Sequence, residues 1–261
     1  MLLSRNIRIV GNDSNAWGGQ VLTGDFIEAD GTSRTGYTYM DNVEIYNCSQ
    51  YDTYQGALRF EGASNGSSLI SNCSIHHGLG FAIEILSSNN ITLDSNTVLD
   101  FVKFAVNMET VINVTVNNNW IFYVHSRNIF SSGTGDPTGA VIACANKNPD
   151  RCIGVHISNN IVGGVQDNGV DTGGFIVPAH DCYDYQTVVF KNNTAHSIQG
   201  YGASIYKNTS SWAQDNCMEA SYFTAYKCQL MGVTSQKSTL GIRFTNMILI
   251  DNVNGASANI G

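Results

Sequence analysis

Ile45-Tyr46-Asn47-Cys48-Ser49 returns as Ile70-Ser71-Asn72-Cys73-Ser74, four identities in five positions at a shift of 25. Taken as equivalent positions on consecutive turns of a repeat, the two stretches predict a chain that winds back on itself. A looser form continues downstream: apolar-x-apolar with Asn five residues after the first apolar position, in Ile91/Leu93/Asn96, Val114/Val116/Asn119, Val155/Ile157/Asn160 and Val188/Phe190/Asn193.

A second stripe runs in parallel through Gly56-Ala57-Leu58, Phe81-Ala82-Ile83, Phe104-Ala105-Val106, Gly139-Ala140-Val141, Gly174-Phe175-Ile176 and Gly202-Ala203-Ser204. Short period-2 segments recurring every 23 to 35 residues, without a 3.6-residue pattern, read as stacked strands. Propeller blades need about 40 residues each, and leucine-rich repeats need a Leu scaffold that is absent. The expected fold is all-β, a single right-handed parallel β-helix over residues 1–261. Roughly eight to nine coils would stack at about 4.8 Å. An Asn at a fixed corner would form a ladder, each side-chain amide bonding the next and satisfying backbone groups at the bend.

Against a base coil of 23 residues, insertions fall at about 126–152, 179–186 and 208–219. Loops projecting from a rigid scaffold are natural partner sites. Aligning Val188 with Phe223 sets Cys182 on Cys217, which predicts a disulfide between neighbouring coils. Cys144 and Cys152 share one insertion and are expected to close it. Cys48 and Cys73, read as equivalents on consecutive coils, form either a third pair or stacked thiols. Cys228 is expected in the place of a ladder Asn, as a buried free thiol. No Cys-x-x-Cys or His-x-x-x-His spacing points to zinc.

Lys and Arg number 13 against 21 Asp and Glu, a net charge of −8 with only 13% of residues charged. Nucleic acid is excluded as a partner, because phosphate binding needs a basic face. No apolar run approaches the roughly 18 residues of a membrane-spanning helix, and Met1-Leu2-Leu3 is too short for a signal-peptide core. Eight Asn-X-Ser/Thr sequons begin at Asn12, Asn47, Asn65, Asn72, Asn90, Asn113, Asn192 and Asn208, and with seven cysteines they point to the secretory pathway and an extracellular or cell-surface location. Asn12, Asn65, Asn90, Asn113 and Asn208 fall in expected corners and are the candidate glycan sites, whereas Asn47 and Asn72 are expected to face inward. Both ends of the chain break off in strand-like pattern. A segment of a longer protein is expected, its ends covered by further domains or by head-to-tail copies in a filament.

Leu2-Leu3-Ser4-Arg5-Asn6-Ile7, Gly18-Gly19-Gln20-Val21, Asn42-Val43-Glu44, Ser74-Ile75-His76-His77, Asn90-Ile91-Thr92-Leu93-Asp94-Ser95-Asn96 and Phe104-Ala105-Val106 follow one another in an order that resembles the fibrocystin and cell-surface hyaluronidase family, over roughly residues 2–125. The resemblance implies a parallel β-helix in a large extracellular or membrane-tethered protein. Its hyaluronan-degrading branch carries Arg-Tyr-Pro-x-His-x-His where this chain has Gly56-Ala57-Leu58-Arg59-Phe60-Glu61-Gly62. Both histidines are missing, so the likeness is better to the fibrocystin-like, non-catalytic branch. The acidic balance agrees, since polyanionic polysaccharides need a basic groove or bridging calcium.

His76-His77 is the one histidine pair. Adjacent strand residues point to opposite faces, so the two are not expected to serve one site. Asp181, Asp184, Asp215 and Glu219, with His180 and Trp212 nearby, form an acidic edge that could hold Ca²⁺ or grip a sugar, with a solvated edge as the plainer reading. No catalytic residue, resident metal or cofactor is assigned. The expected role is structural; a carbohydrate-binding module and a polysaccharide-degrading enzyme are the alternatives.

Overall fold

A computed structural model describes residues 7–12, 17–50, 53, 55–125, 138–144, 152–167, 172–178, 180–181, 188–206, 218–236 and 242–258. They form strands and turns without a helix, in a 17-stranded sheet, a nine-stranded sheet and a two-stranded hairpin. None of the described residues belongs to a helix long and apolar enough to cross a membrane.

One turn of the repeat is clearest at Asn89–Asp94, Thr97–Val102 and Phe104–Glu109, after which Val111–Asn117 returns to pair in parallel with the first of these. The register Ile91↔Val114, Val98↔Ile121 and Val106↔Val141 continues up three stacks, here called the first, second and third faces. The two halves of the large sheet are the first and second faces; Val188–His196 serves both, its start pairing with Val155–Ser158 and its end with Ile161–Gln166. Parallel strands in this recurring order are consistent with a β-helix or solenoid. Inward residues of all three faces merge into one apolar core from Val43 to Val233. Phe175, Phe190 and Phe223 fill it at one end with ring centroids 5.2 to 6.0 Å apart. The hairpin Phe26–Ile27 with Ser33–Arg34 lies outside this pattern and had no signal in the repeat.

Corners explain the Asn-rich composition. Between the first and second faces, Asn42, Asn72, Ser95, Asn118, Asn159, Asn192, Tyr222 and Asn246 all take φ of 52–59°. Between the second and third, Asn47, His77, Asp100, Tyr123, Gly164, Ser197, Lys227 and Asp251 take φ of 52–67°. A single left-handed residue between two extended stretches turns the chain, and Asn tolerates that conformation better than most side chains. At the first corner the next residue points inward. There Asn96, Asn119, Asn160 and Asn193 form the ladder, each Nδ2 donating to the Oδ1 of the next at 3.0 Å. The doublets Asn118-Asn119, Asn159-Asn160 and Asn192-Asn193 are thus a turning residue followed by a ladder residue.

Several expected registers are corrected. Ile45 lies opposite Ile75 on the second face, and Ile70 opposite Met40 on the first. The coil here is 30 residues long, so the 25-residue shift joins two different corners with the same local recipe: inward apolar residue, left-handed Asn, buried Cys. Asn47 and Asn72 are therefore turning residues rather than inward ladder residues, and Asn72 is exposed. Phe175, not Ile176, stands opposite Val141. Asn193 lies opposite Phe223, a shift of 30 where 35 was expected from Val188. Cys73 sits in the ladder column, its N–H donating to Asn96 Oδ1, whereas Cys228 belongs to the second corner.

Candidate functional site

The outer wall of the second face carries a continuous chain of ionisable groups. Register places Arg8 opposite Glu44, and their side chains pair at 2.5 Å. Glu44 Oε1 meets His76 Nε2 at 3.0 Å, and His76 Nδ1 meets His77 Nδ1 at 2.8 Å. His77 Nε2 then lies 3.9 Å from Asp100, whose other oxygen is 3.1 Å from His125 Nε2. The Tyr46 ring packs 5.2 Å from His76, and Tyr123 packs 5.2 Å from His125.

This overturns the expectation that His76 and His77 diverge. Alternation holds only for extended residues, and His77 sits at φ 55°, which swings its ring back beside His76. Sequence reasoning also missed Asp100 and His125 as its partners. The available signal was spacing: 23 residues, one coil, separate His77 from Asp100, and His125 stands two residues past Tyr123, which is the next step of 23. For Glu44, burial pushes the carboxyl up, but the His76 hydrogen bond and the Arg8 charge outweigh it and hold it below its ordinary value. These contacts cross-link neighbouring levels. Among the described residues, no group of three or more His, Cys, Asp or Glu side chains is arranged to hold a metal.

On the third face, Glu84 points outward yet is 2% exposed. Its carboxylate accepts from Gly56 N–H at 2.9 Å and lies 3.7 Å from Arg59. Burial pushes it up to about 7, against the pull of that N–H and of Arg59.

Of the expected sites, Asn12, Asn65 and Asn113 are exposed and Asn90 is half-buried. Asn90 and Asn113 stack one coil apart, Asn113 Nδ2 donating to Asn90 Oδ1 at 3.2 Å. Asn65 belongs to a loop fastened by Asp25, whose Oδ2 accepts from both Ser64 and Asn65, while Oδ1 accepts from Gly36 N–H. These hydrogen bonds, that from Gly36 foremost, lower the Asp25 carboxyl to about 2. Cys144 and Cys152 form a disulfide, Cα atoms 6.3 Å apart. Cys48 and Cys73 are free buried thiols on different corners, not a bonded pair. Cys182, Cys217, Asn208, Asp184, Trp212 and Asp215 lie outside the described residues. Within the acidic edge, the backbone of Asp181 pairs with Met218 in an antiparallel bridge, one residue from Glu219. Glu219 Oε1 accepts from Thr245 Oγ1.

Human Fibrocystin-L is 27% identical to this chain over 272 residues, covering 96% of the chain. The chain spans about 6% of that protein's length. No family model matches the chain, and no solved structure matches it. The likeness supports a fibrocystin-like relationship and continues well beyond residue 125, where the sequence motifs end.

Proposed function

We propose that this chain is a structural, non-catalytic segment of a large extracellular or cell-surface glycoprotein, folded as one right-handed parallel β-helix of about eight to nine coils. The likeness to Fibrocystin-L supports this most, because it takes in 96% of the chain but 6% of the other protein. A rod of stacked strands is a spacer that holds flanking modules apart. Ile7, in the inward column opposite buried Val43, is exposed, and Leu249, opposite buried Ala225, is only partly buried, which favours cover by further domains or by head-to-tail copies. The test is antibody against the folded segment on intact cells that make the natural protein. Surface staining is expected; staining only after permeabilisation overturns the reading.

Exposed Trp120 and Tyr123 on the second face favour a second reading, a carbohydrate-binding wall. Calcium at the acidic edge belongs to that reading. A glycan array with the purified chain, compared with Trp120→Ala, would separate the two: signal lost in the variant supports binding, and a blank array leaves the structural role.

A further inference from the structure

Over its last three levels, the corner between the first and second faces opens into a shallow groove of about 300 Å³ lined by Asn192, Thr194, Tyr222, Thr224, Asn246 and Ile248. Asn192 begins the sequon Asn192-Asn193-Thr194. At φ 56° it turns the corner and is exposed, while Asn193 is buried in the ladder. Register sets Tyr222 beside it on the next level, and that residue is 56% exposed. The Nδ2 groups of Asn65, Asn72 and Asn113 donate to Asp25, Asp41 and Asn90. The Asn192 carboxamide has no such bond among the described residues.

We propose that Asn192 is an N-glycan acceptor and that the first sugar of its glycan lies in this groove, with the apolar face of the sugar ring against Tyr222. Thr194, Thr224 and Asn246 offer hydrogen bonds to its hydroxyl groups, and Ile248 closes the apolar side. In the transfer, Asn192 Nδ2 loses a proton and bonds to the anomeric carbon of a lipid-pyrophosphate-linked oligosaccharide. The anomeric C–O bond breaks and the lipid pyrophosphate leaves, with no change of oxidation state. The remaining Nδ2–H stays available for hydrogen bonding. This inference rests on the extracellular reading, because the transfer takes place in the secretory pathway.

The chain secreted from a eukaryotic host and mapped by glycopeptide mass spectrometry should carry sugar at Asn192. Thr194→Ala keeps the left-handed Asn and should lose that glycan, while Thr194→Ser should keep it. Asn192 bare beside an occupied Asn12 or Asn113 overturns the inference and leaves the extracellular reading standing; all sequons bare overturns both. Enzymatic removal of glycans should lower Tm by about 2 °C or more, and by less in Tyr222→Ala. Equal shifts in the two proteins overturn the role of Tyr222.

Discussion

The Nδ1 atoms of His76 and His77 stand 2.8 Å apart, although the residues are sequence neighbours on a strand edge. One must donate and the other accept. Glu44 decides which: as an acceptor at His76 Nε2 it draws the proton there, which leaves His76 Nδ1 to accept from His77. Whenever both rings are neutral, His76 is therefore the Nε2–H tautomer and His77 the Nδ1–H tautomer. Long-range ¹H–¹⁵N spectra should show this opposite pair, and Glu44→Ala should erase the preference at His76. The same tautomer at both rings would refute the chain of donors.

Glu84 makes stability depend on pH. Its folded carboxyl is raised from 4.5 to about 7, chiefly by burial, so the native state holds this proton more tightly than the unfolded chain. The contribution is fully present below the unfolded value and is lost as pH rises through the folded one, about 3 kcal/mol at most across that window. Urea unfolding of the wild type should weaken between pH 4.5 and 7. Glu84→Gln, which keeps an acceptor for Gly56 N–H, should flatten the trend and be the more stable protein above that window. Parallel pH profiles in the two proteins would remove Glu84 as the cause.

Asn119 sits in the middle of the ladder. Its Oδ1 accepts from the Asn96 backbone and side chain at 3.0 Å, and its Nδ2 donates to Leu93 C=O at 2.9 Å. Asn119→Ala strands these groups in the core, each costing about 1–3 kcal/mol, so a total of roughly 3–5 kcal/mol is expected. Asn118→Ala should cost less, because it touches only the left-handed turn and one exposed hydrogen bond, from Asn118 Nδ2 to Asp94. Chemical denaturation of both variants checks the order; equal losses would mean that the ladder is not what holds the corner.

Cys48, Cys73 and Cys228 are buried, and burial raises the Cys228 thiol to about 11 and the Cys48 thiol above its ordinary value. All three should resist iodoacetamide in the native protein and react after unfolding in urea. Cys144 and Cys152 should release two further thiols only on reduction. Peptide mapping of the same sample decides whether Cys182 and Cys217 are joined, which remains our proposal. Rapid native alkylation of Cys228 would place it outside the core.

How much of this could be read beforehand depended on coil length. From Ile91 to Val114 the coil is 23 residues, and the apolar stripes and ladder asparagines at 96, 119, 160 and 193 align as their spacing suggested. Where coils lengthen to 30 residues, similar corner sequences were matched to the wrong corner, as with Cys48 and Cys73. Periodicity detects a recurring local geometry but does not say which bend of the turn it belongs to. The histidine pair escapes the sequence for a related reason: the alternation rule presumes extended backbone, and only φ of His77 reveals the exception. His125 and Asp100 became partners through stacking, which no local window contains.

The ladder spans only part of the molecule, from Cys73 through Asn193, and gives way to Phe223. Under tension along the stack, the levels beyond each end of it would yield first, since each level is held chiefly by its immediate neighbours. Every level that peels away releases 23 or more residues, roughly 80 Å of slack. The ends would act as extensible tethers while the asparagine-braced middle keeps its length, so a pull on one flank would be absorbed as slack before it reached the other.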